Sequence, residues 1–409
     1  MNYLALLSRD MIGFICGLAS SIFLARHLGP EQYGKYIYVI LILAIFQNFG
    51  RFRLSVSILP YLNKNPDHES IIFSTSFILN GIMSLITSFL IIFIGNIFNL
   101  FQDYSKWIYL ILSIMIISEF YLMLTTYALS FKSKFRLLSL LINFKVITQT
   151  SGFAYIYFFI SEKSIFPYLT VLSISNLIAC LLGIFLIREF INLSFLDYHK
   201  LDLKLYFKSS LRFYLSDTIN FFSTKGIATV VAAKLAISNL AFFNMIFSHF
   251  ELLRFPNNAL GSMMYPELSK MSEDKKQRKY IITKLKFNFP IYVLVLLGAY
   301  FFYPKLVLFF YGPDYNVIIE YFPYVLIFGG PYLISYPIIH YFSSNGAPQY
   351  EALIKLISVV IQIISLLFFI SFSELSLLNI VLSQSVAFPA FMIALLIVFK
   401  YKKFENSLI

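Results

Sequence analysis

Residues 24–38 read LARHLGPEQYGKYIY, a short polar stretch between two long apolar runs. Within it, Leu28-Gly29-Pro30-Glu31 is a helix stop followed at once by a restart. Glycine just past a helix end tolerates the left-handed turn that closes it. Proline can open the next helix because its missing N–H would have no partner in the first turn. Two apolar helices joined this tightly predict a hairpin at a membrane surface. A fainter copy lies half a chain later, at residues 231–247, reading VAAKLAISNLAFFNMIF.

Composition supports a membrane setting. Of 409 residues, 59% are hydrophobic and only 13% are charged, against roughly 25% charged in soluble domains. A water-soluble fold of this length could not hide so much apolar surface, so the chain reads as an all-α polytopic membrane protein. The net charge of +12 would suggest nucleic acid in a soluble protein. Here the enrichment of Lys and Arg in cytoplasmic loops accounts for it, and no nucleic-acid-binding pattern is present. Cys16 and Cys180 both lie in apolar runs, where they read as packing residues and not as a disulfide or metal pair. The first apolar run, residues 4–28, carries Arg9 and Asp10 and is too long for a signal core, so it is expected to span and to stay uncleaved.

Runs of about 20 residues bounded by charges, Pro or Gly predict twelve transmembrane helices. Six cover residues 4–28, 36–60, 71–99, 107–130, 137–160 and 165–188, with an interfacial turn expected near Gly95-Asn96. The others cover residues 209–235, 239–266, 281–303, 318–342, 349–371 and 376–399. The polar stretch 189–208 reads as a cytoplasmic linker between an N-terminal lobe, 1–188, and a C-terminal lobe, 209–409. With the N-terminus cytoplasmic, nineteen Lys and Arg fall in loops on that side and six on the other, which predicts both termini inside. Leu28 matches Leu235, and Pro60 matches Pro266, at nearly one offset. An even number of spans per half makes this a parallel internal repeat of two six-helix lobes, an arrangement that puts the substrate path between the halves.

These residues resemble the MOP flippase superfamily, and within it the polysaccharide-biosynthesis proteins similar to Wzx-type O-antigen translocases. The resemblance rests on Ala25-Arg26-His27-Leu28-Gly29-Pro30-Glu31-Gln32-Tyr33-Gly34, on Tyr265-Pro266-Glu267-Leu268-Ser269, on Tyr311-Gly312-Pro313-Asp314-Tyr315 and on Asn345-Gly346-Ala347-Pro348. It implies a flippase that moves an undecaprenyl-diphosphate-linked oligosaccharide from the cytoplasmic to the periplasmic leaflet of a bacterial inner membrane by alternating access. That function serves O-antigen or other surface polysaccharide synthesis. The resemblance also implies membrane lipids, a polysaccharide polymerase and a chain-length regulator as partners. The second hairpin departs from the family pattern: Lys225-Gly226 stands near an expected acid, and Asn239-Leu240-Ala241-Phe242-Phe243 replaces an E-x-G-x-Y-like turn.

A sugar diphosphate head needs a polar, cationic cavity to cross hydrocarbon, and charges inside spanning helices mark such paths. Arginine suits it, because its planar fork meets phosphate oxygens in pairs. The candidate substrate-binding residues are therefore Arg9, Arg51, Arg53, Lys225 and Arg254, with Asp217 and Glu119 as candidate coupling acids. On a continuous helix Arg51 and Arg53 would point about 200° apart, so only one would face a cavity. Blander pairings are Arg9 with Asp10, Glu119 with Lys145, Asp217 with Lys225 two turns away, Glu251 with Arg254 and Glu351 with Lys355. His249 and His340 read as packing residues. No catalytic residues, metal ligands or cofactor motif are expected, so the chain reads as a transporter and not an enzyme. The alternatives are a multidrug/cation antiporter of the same superfamily, which would favour acids over bases in its cavity, and an integral-membrane glycan polymerase or transferase, which would need large periplasmic loops.

Overall fold

A computed structural model describes residues 2–55, 58, 69–102, 104–191, 203–254, 264, 267–268, 271, 273–345, 347 and 349–402. The predicted Pro60–Pro266 correspondence, the motif residues Tyr265, Pro266, Ser269, Gly346 and Pro348, and most of the 189–208 linker lie outside them. The described residues are mostly helical, and eight helices among them are long and apolar enough to cross a membrane. The protein is a multi-pass membrane protein. It forms two compact units, Met1–Thr218 and Ile219–Ile409.

The first unit begins with α1 (Asn2–Gly50), whose helical run is interrupted at Gly29, with φ 70° and ψ 172°. At about 1.5 Å per residue, 49 residues would reach some 70 Å as one rod, more than twice a bilayer's hydrocarbon core. The break at Gly29 divides this run into two helices, at the stop-and-restart that the sequence predicts. Then follow α2 (Glu69–Ile97), α3 (Trp107–Phe131), α4 (Phe135–Phe159) and α5 (Ile165–Ile187). Helix α1 packs on α4, α3 packs on α2 and α5, and α4 packs on α5. Helix α2 runs through Gly95-Asn96 and turns only after Ile97. Its buried face is polar and small, including Ser76, Asn80, Ser84 and Thr87, while Leu85, Phe89 and Phe93 are exposed. That inversion of the soluble pattern is what lipid selects: large apolar side chains cost nothing outside, and small residues let helices approach. Gly50 shows how close. A Cβ there would lie 2.1 Å from the Thr87 hydroxyl oxygen.

Helix α6 (Leu203–Phe221) crosses the division between the units. Its first part belongs to the first unit because Tyr206, 3% exposed, donates its hydroxyl hydrogen to the Leu54 carbonyl at 2.6 Å and lies 2.9 Å from Ser76 Oγ.

The second unit continues through a wide π-turn, Phe222–Gly226, into α7 (Ile227–Lys234) and α8 (Ile237–Leu252). Leu235 and Ala236 are extended between these two helices, so the chain breaks here too, without a glycine. Next come α9 (Asp274–Phe310), α10 (Asn316–Leu333), α11 (Tyr336–Ser344), α12 (Gln349–Phe372) and α13 (Leu377–Tyr401). Gly312, at φ 92°, closes α9, and Pro313 opens the short 3-10 turn leading to α10, the same Gly-Pro grammar as at Gly29-Pro30. Helix α13 packs on α10 and α12, while α10 packs on α8 and α9.

The second span does not run as helix through Arg51 and Arg53. Helix α1 ends at Gly50, and Phe52 and Arg53 take left-handed backbone at φ 44° and 53°. Such a conformation costs a non-glycine residue roughly 1–2 kcal/mol. It is offset by the Phe52 ring stacked on Tyr214 at 4.9 Å and by an Arg53–Asp217 ion pair. The 200° argument therefore does not apply to these two arginines.

Candidate functional site

The intramembrane charges sort into separate groups. In the first unit, Arg9 is held by the neighbouring Asp10, with Nε 2.9 Å and Nη2 2.7 Å from the same oxygen. Arg53 pairs with Asp217, so Asp217 does not pair with Lys225 as its spacing in sequence allowed. Glu119 on α3 is shared: Lys145 on α4 reaches it at 3.4 Å and Arg51 at 3.8 Å. Arg51 also donates from Nε to the Gln47 carbonyl at 3.1 Å, which caps the end of α1.

In the second unit, Lys225 and Arg254 line one cavity of about 530 Å³. That is within the range of roughly 300–1,000 Å³ of small-molecule sites. Three structural features build it. The π-turn brings the consecutive Ser223, Thr224 and Lys225 to the wall. One face of α8 supplies Asn244, Phe247, Ser248 and Glu251, at helical spacing. Helix α12 adds Glu351, Lys355 and Ser358, again at i, i+4 and i+7.

The charges in this cavity are ordered by pairing. Arg254 donates to Glu251 at 2.5 Å, and its guanidinium lies 4.8 Å from the centre of the Tyr332 ring. Lys355 donates to Glu351 at 2.6 Å and to the Asn220 side-chain oxygen at 2.9 Å. No ion pair among the described residues includes Lys225. Three cations and two carboxylates leave the lining with one net positive charge. The aromatic part of the wall is continuous: Tyr332 and Phe388 rings are 4.8 Å apart and Phe243 and Phe247 4.6 Å. A site with an apolar aromatic side, amide and hydroxyl groups, and an excess cation can hold an anionic, sugar-like ligand.

Helix α8 is fixed in rotation from its opposite side. His249, 9% exposed, lies 2.8 Å by Nδ1 from the Tyr303 hydroxyl and 2.9 Å by Nε2 from the Tyr311 hydroxyl. This packing role is the one the sequence suggested. Glu351 and Lys355 are the residues that sequence reasoning undervalued. Their i, i+4 spacing identified the pair, but nothing along the chain signals that α12 turns it toward Arg254.

The sequence profile of a family described as polysaccharide biosynthesis protein matches residues 1–272. The chain belongs to that family. No curated protein matches the chain in sequence. Among solved structures, an inward-facing multidrug resistance MATE family transporter of the MOP superfamily is similar at TM-score 0.74 and 15% identity, over 98% of this chain and 97% of the other. The lipid II flippase MurJ in an inward closed conformation is similar at TM-score 0.75 and 17% identity, over 96% and 86%. A MOP superfamily transporter from Pyrococcus furiosus, described as having a binding pocket of reverse polarity, is similar at TM-score 0.67 and 15% identity, over 98% and 94%. The fold of this polysaccharide biosynthesis protein is thus the MOP fold.

Proposed function

We propose that the chain is a flippase for an undecaprenyl-diphosphate-linked oligosaccharide, moving it from the cytoplasmic to the periplasmic leaflet by alternating access during surface polysaccharide synthesis. In this reading, twelve spans form two six-helix lobes of a parallel repeat, 1–188 and 209–409, joined by a cytoplasmic linker, with both termini inside. The carrying observation is the cavity of the second unit, whose lining holds Lys225, Arg254 and Lys355 against Glu251 and Glu351 beside an aromatic wall. Lys225 and Arg254 bind the diphosphate there. The sugars meet Tyr332, Phe388 and the amides of Asn220 and Asn244. Arg9, Arg51 and Arg53 stay in the reading as cations that a passing diphosphate would have to win from Asp10, Glu119 and Asp217. The family membership supports a role in polysaccharide assembly, with a polymerase acting on the flipped product.

The test is Lys225→Ala and Arg254→Ala, each in a strain that depends on this chain for surface glycan. Glycan ladders are expected to fall at least tenfold while the protein stays at normal level in the membrane and lipid-linked precursor accumulates. Full ladders in both variants would sink the reading. A multidrug antiporter remains the second reading because the MATE fold is shared and two carboxylates line the cavity. Drug resistance lost in Glu251→Gln with unchanged ladders would favour it.

A further inference from the structure

The first turns of α9 carry Lys275, Lys276, Lys279, Lys284 and Lys286, and the cavity uses none of them. At 1.5 Å per residue the 37 residues of α9 would reach about 55 Å, well beyond a hydrocarbon core of about 30 Å. Residues 287–310 alone reach about 36 Å, so the turns before Phe287 stand at and beyond the headgroup layer.

Arg278 fixes the rotation of these turns. Its Nε donates to Asp274 on the preceding turn at 2.7 Å, and its Nη2 donates to the Tyr341 hydroxyl of α11 at 2.7 Å. The same guanidinium donates to the carbonyls of Phe399 and Lys402 at the end of α13, acceptors that a helix C-terminus leaves open. Gln277 is buried beside it. Its amide donates to the Leu268 and Met271 carbonyls at 3.0 and 2.8 Å and accepts from Asn345 at 2.8 Å. Asp274, Gln277, Arg278 and Ile281 therefore make up an inward side. At 100° per residue, Lys275, Lys279 and Lys286 fall within about 40° of one another on the opposite side. All three are exposed.

This outer stripe has no anion of its own. Asp274, the one acid of α9, is held by Arg278, and Glu273 just before the helix pairs with Lys276. No ion pair among the described residues includes Lys275, Lys279 or Lys286. Further along the helix the exposed side continues as Phe287, Leu294, Leu297 and Phe301. Lysines followed by large apolar side chains match a lipid in order, phosphate first and acyl chain below. We propose that the stripe Lys275, Lys279 and Lys286 is a docking surface for the headgroups of anionic phospholipids. Lys279 and Lys286 stand about 10 Å apart along the axis, and their flexible stems let the ammonium groups reach phosphate oxygens. Lys275, about 6 Å further out, adds attraction within the screening length of roughly 8 Å in physiological salt. A zwitterionic headgroup is a poorer partner, because its own cation meets the same lysines. The Arg278 network makes the stripe a fixed surface and not a loose basic tail. No residue of the stripe lines the cavity, and lipid docking here is independent of what the protein transports.

The test places a fluorophore beside the stripe in the full chain. Phe289, exposed three residues beyond Lys286, is changed to Cys and labelled with bimane, with Cys16→Ala and Cys180→Ala leaving no other thiol. The labelled chain is reconstituted in phosphatidylcholine bilayers containing phosphatidylglycerol or phosphatidylcholine that carries a nitroxide quencher near the top of one acyl chain. With the lysines intact, half-quenching should need about fivefold less labelled phosphatidylglycerol than phosphatidylcholine, the attraction of one lysine at a charged surface. Lys275→Gln, Lys279→Gln and Lys286→Gln together should make the two lipids quench alike. Lys106→Gln, Lys163→Gln and Lys305→Gln, which remove as much charge from exposed positions elsewhere, should leave the preference in place. Equal quenching by both lipids with all lysines intact overturns the proposal. So does a preference that survives the first triple substitution, or one that falls equally in the second, which would make it an effect of net charge alone. Each of these outcomes leaves the flippase reading standing.

Discussion

Glu119→Gln is the perturbation that separates a structural charge from a coupling one. Glu119 is shared by Lys145 at 3.4 Å and Arg51 at 3.8 Å, with all three side chains 20–25% exposed. At an effective dielectric of 20, unit charges at such distances attract by about 4–5 kcal/mol per pair. Desolvation cancels most of that in the intact cluster, which is why such groups add little net stability. Removing the common anion alone is different, because Arg51 and Lys145 are then left facing each other. Breaking a fully buried pair costs roughly 3–5 kcal/mol, and partial exposure brings the expected cost here to about 2 kcal/mol. The assay is thermal unfolding of the purified chain in one detergent, alongside glycan ladders in cells. Glu119→Gln should unfold several degrees lower. Glu119→Gln combined with Lys145→Met should recover at least half of that loss, since the unpaired cation is gone and Arg51 keeps its bond to the Gln47 carbonyl. Transport should recover with it. A single variant as stable as wild type, or a double variant no better than the single, would refute the ion-pair account. A stable double variant with no transport would instead make Glu119 the coupling acid that the sequence suggested.

Other expectations follow from single contacts. Gly29→Val forces a β-branched residue into φ 70°, which should cost about 1–3 kcal/mol and lower the yield of folded protein by thermal shift. Gly329→Leu should separate α8 from α10, because a Cβ there would lie 2.4 Å from Phe250 Cζ; transport should fall with it, and Phe250→Ala in the same chain should partly restore it. His249→Phe removes the ring nitrogens that meet the Tyr303 and Tyr311 hydroxyls. It should lower stability by about 1–3 kcal/mol while leaving the cavity charges in place, read as a lower unfolding temperature with glycan ladders retained in cells grown at low temperature.

Much of this protein was legible along the chain. Apolar runs of membrane length and the scarcity of charge determined an all-helical membrane protein. The Gly-Pro step at 29–30 determined one of its helix breaks, because backbone conformation at glycine and proline is a local property. The short-range ion pairs Arg9–Asp10, Glu251–Arg254 and Glu351–Lys355 were legible for the same reason, since neighbours along a chain or a helix turn must meet. What remained hidden depends on contacts between distant segments. Arg53 meets Asp217, and Arg51 joins the Glu119–Lys145 pair that the sequence allowed, only because the chain leaves the helix at Gly50 and takes left-handed backbone at Phe52 and Arg53. Likewise, the amphipathic spacing of Glu351 and Lys355 gives a face but not the neighbour it turns to. The packing of α12 and α10 on α13, and of α8 on α10, decided that this pair shares one cavity with Lys225, Glu251 and Arg254. Helix periodicity is set by covalent geometry within a few residues, whereas the choice of which faces meet is set by close packing of side chains across the whole unit.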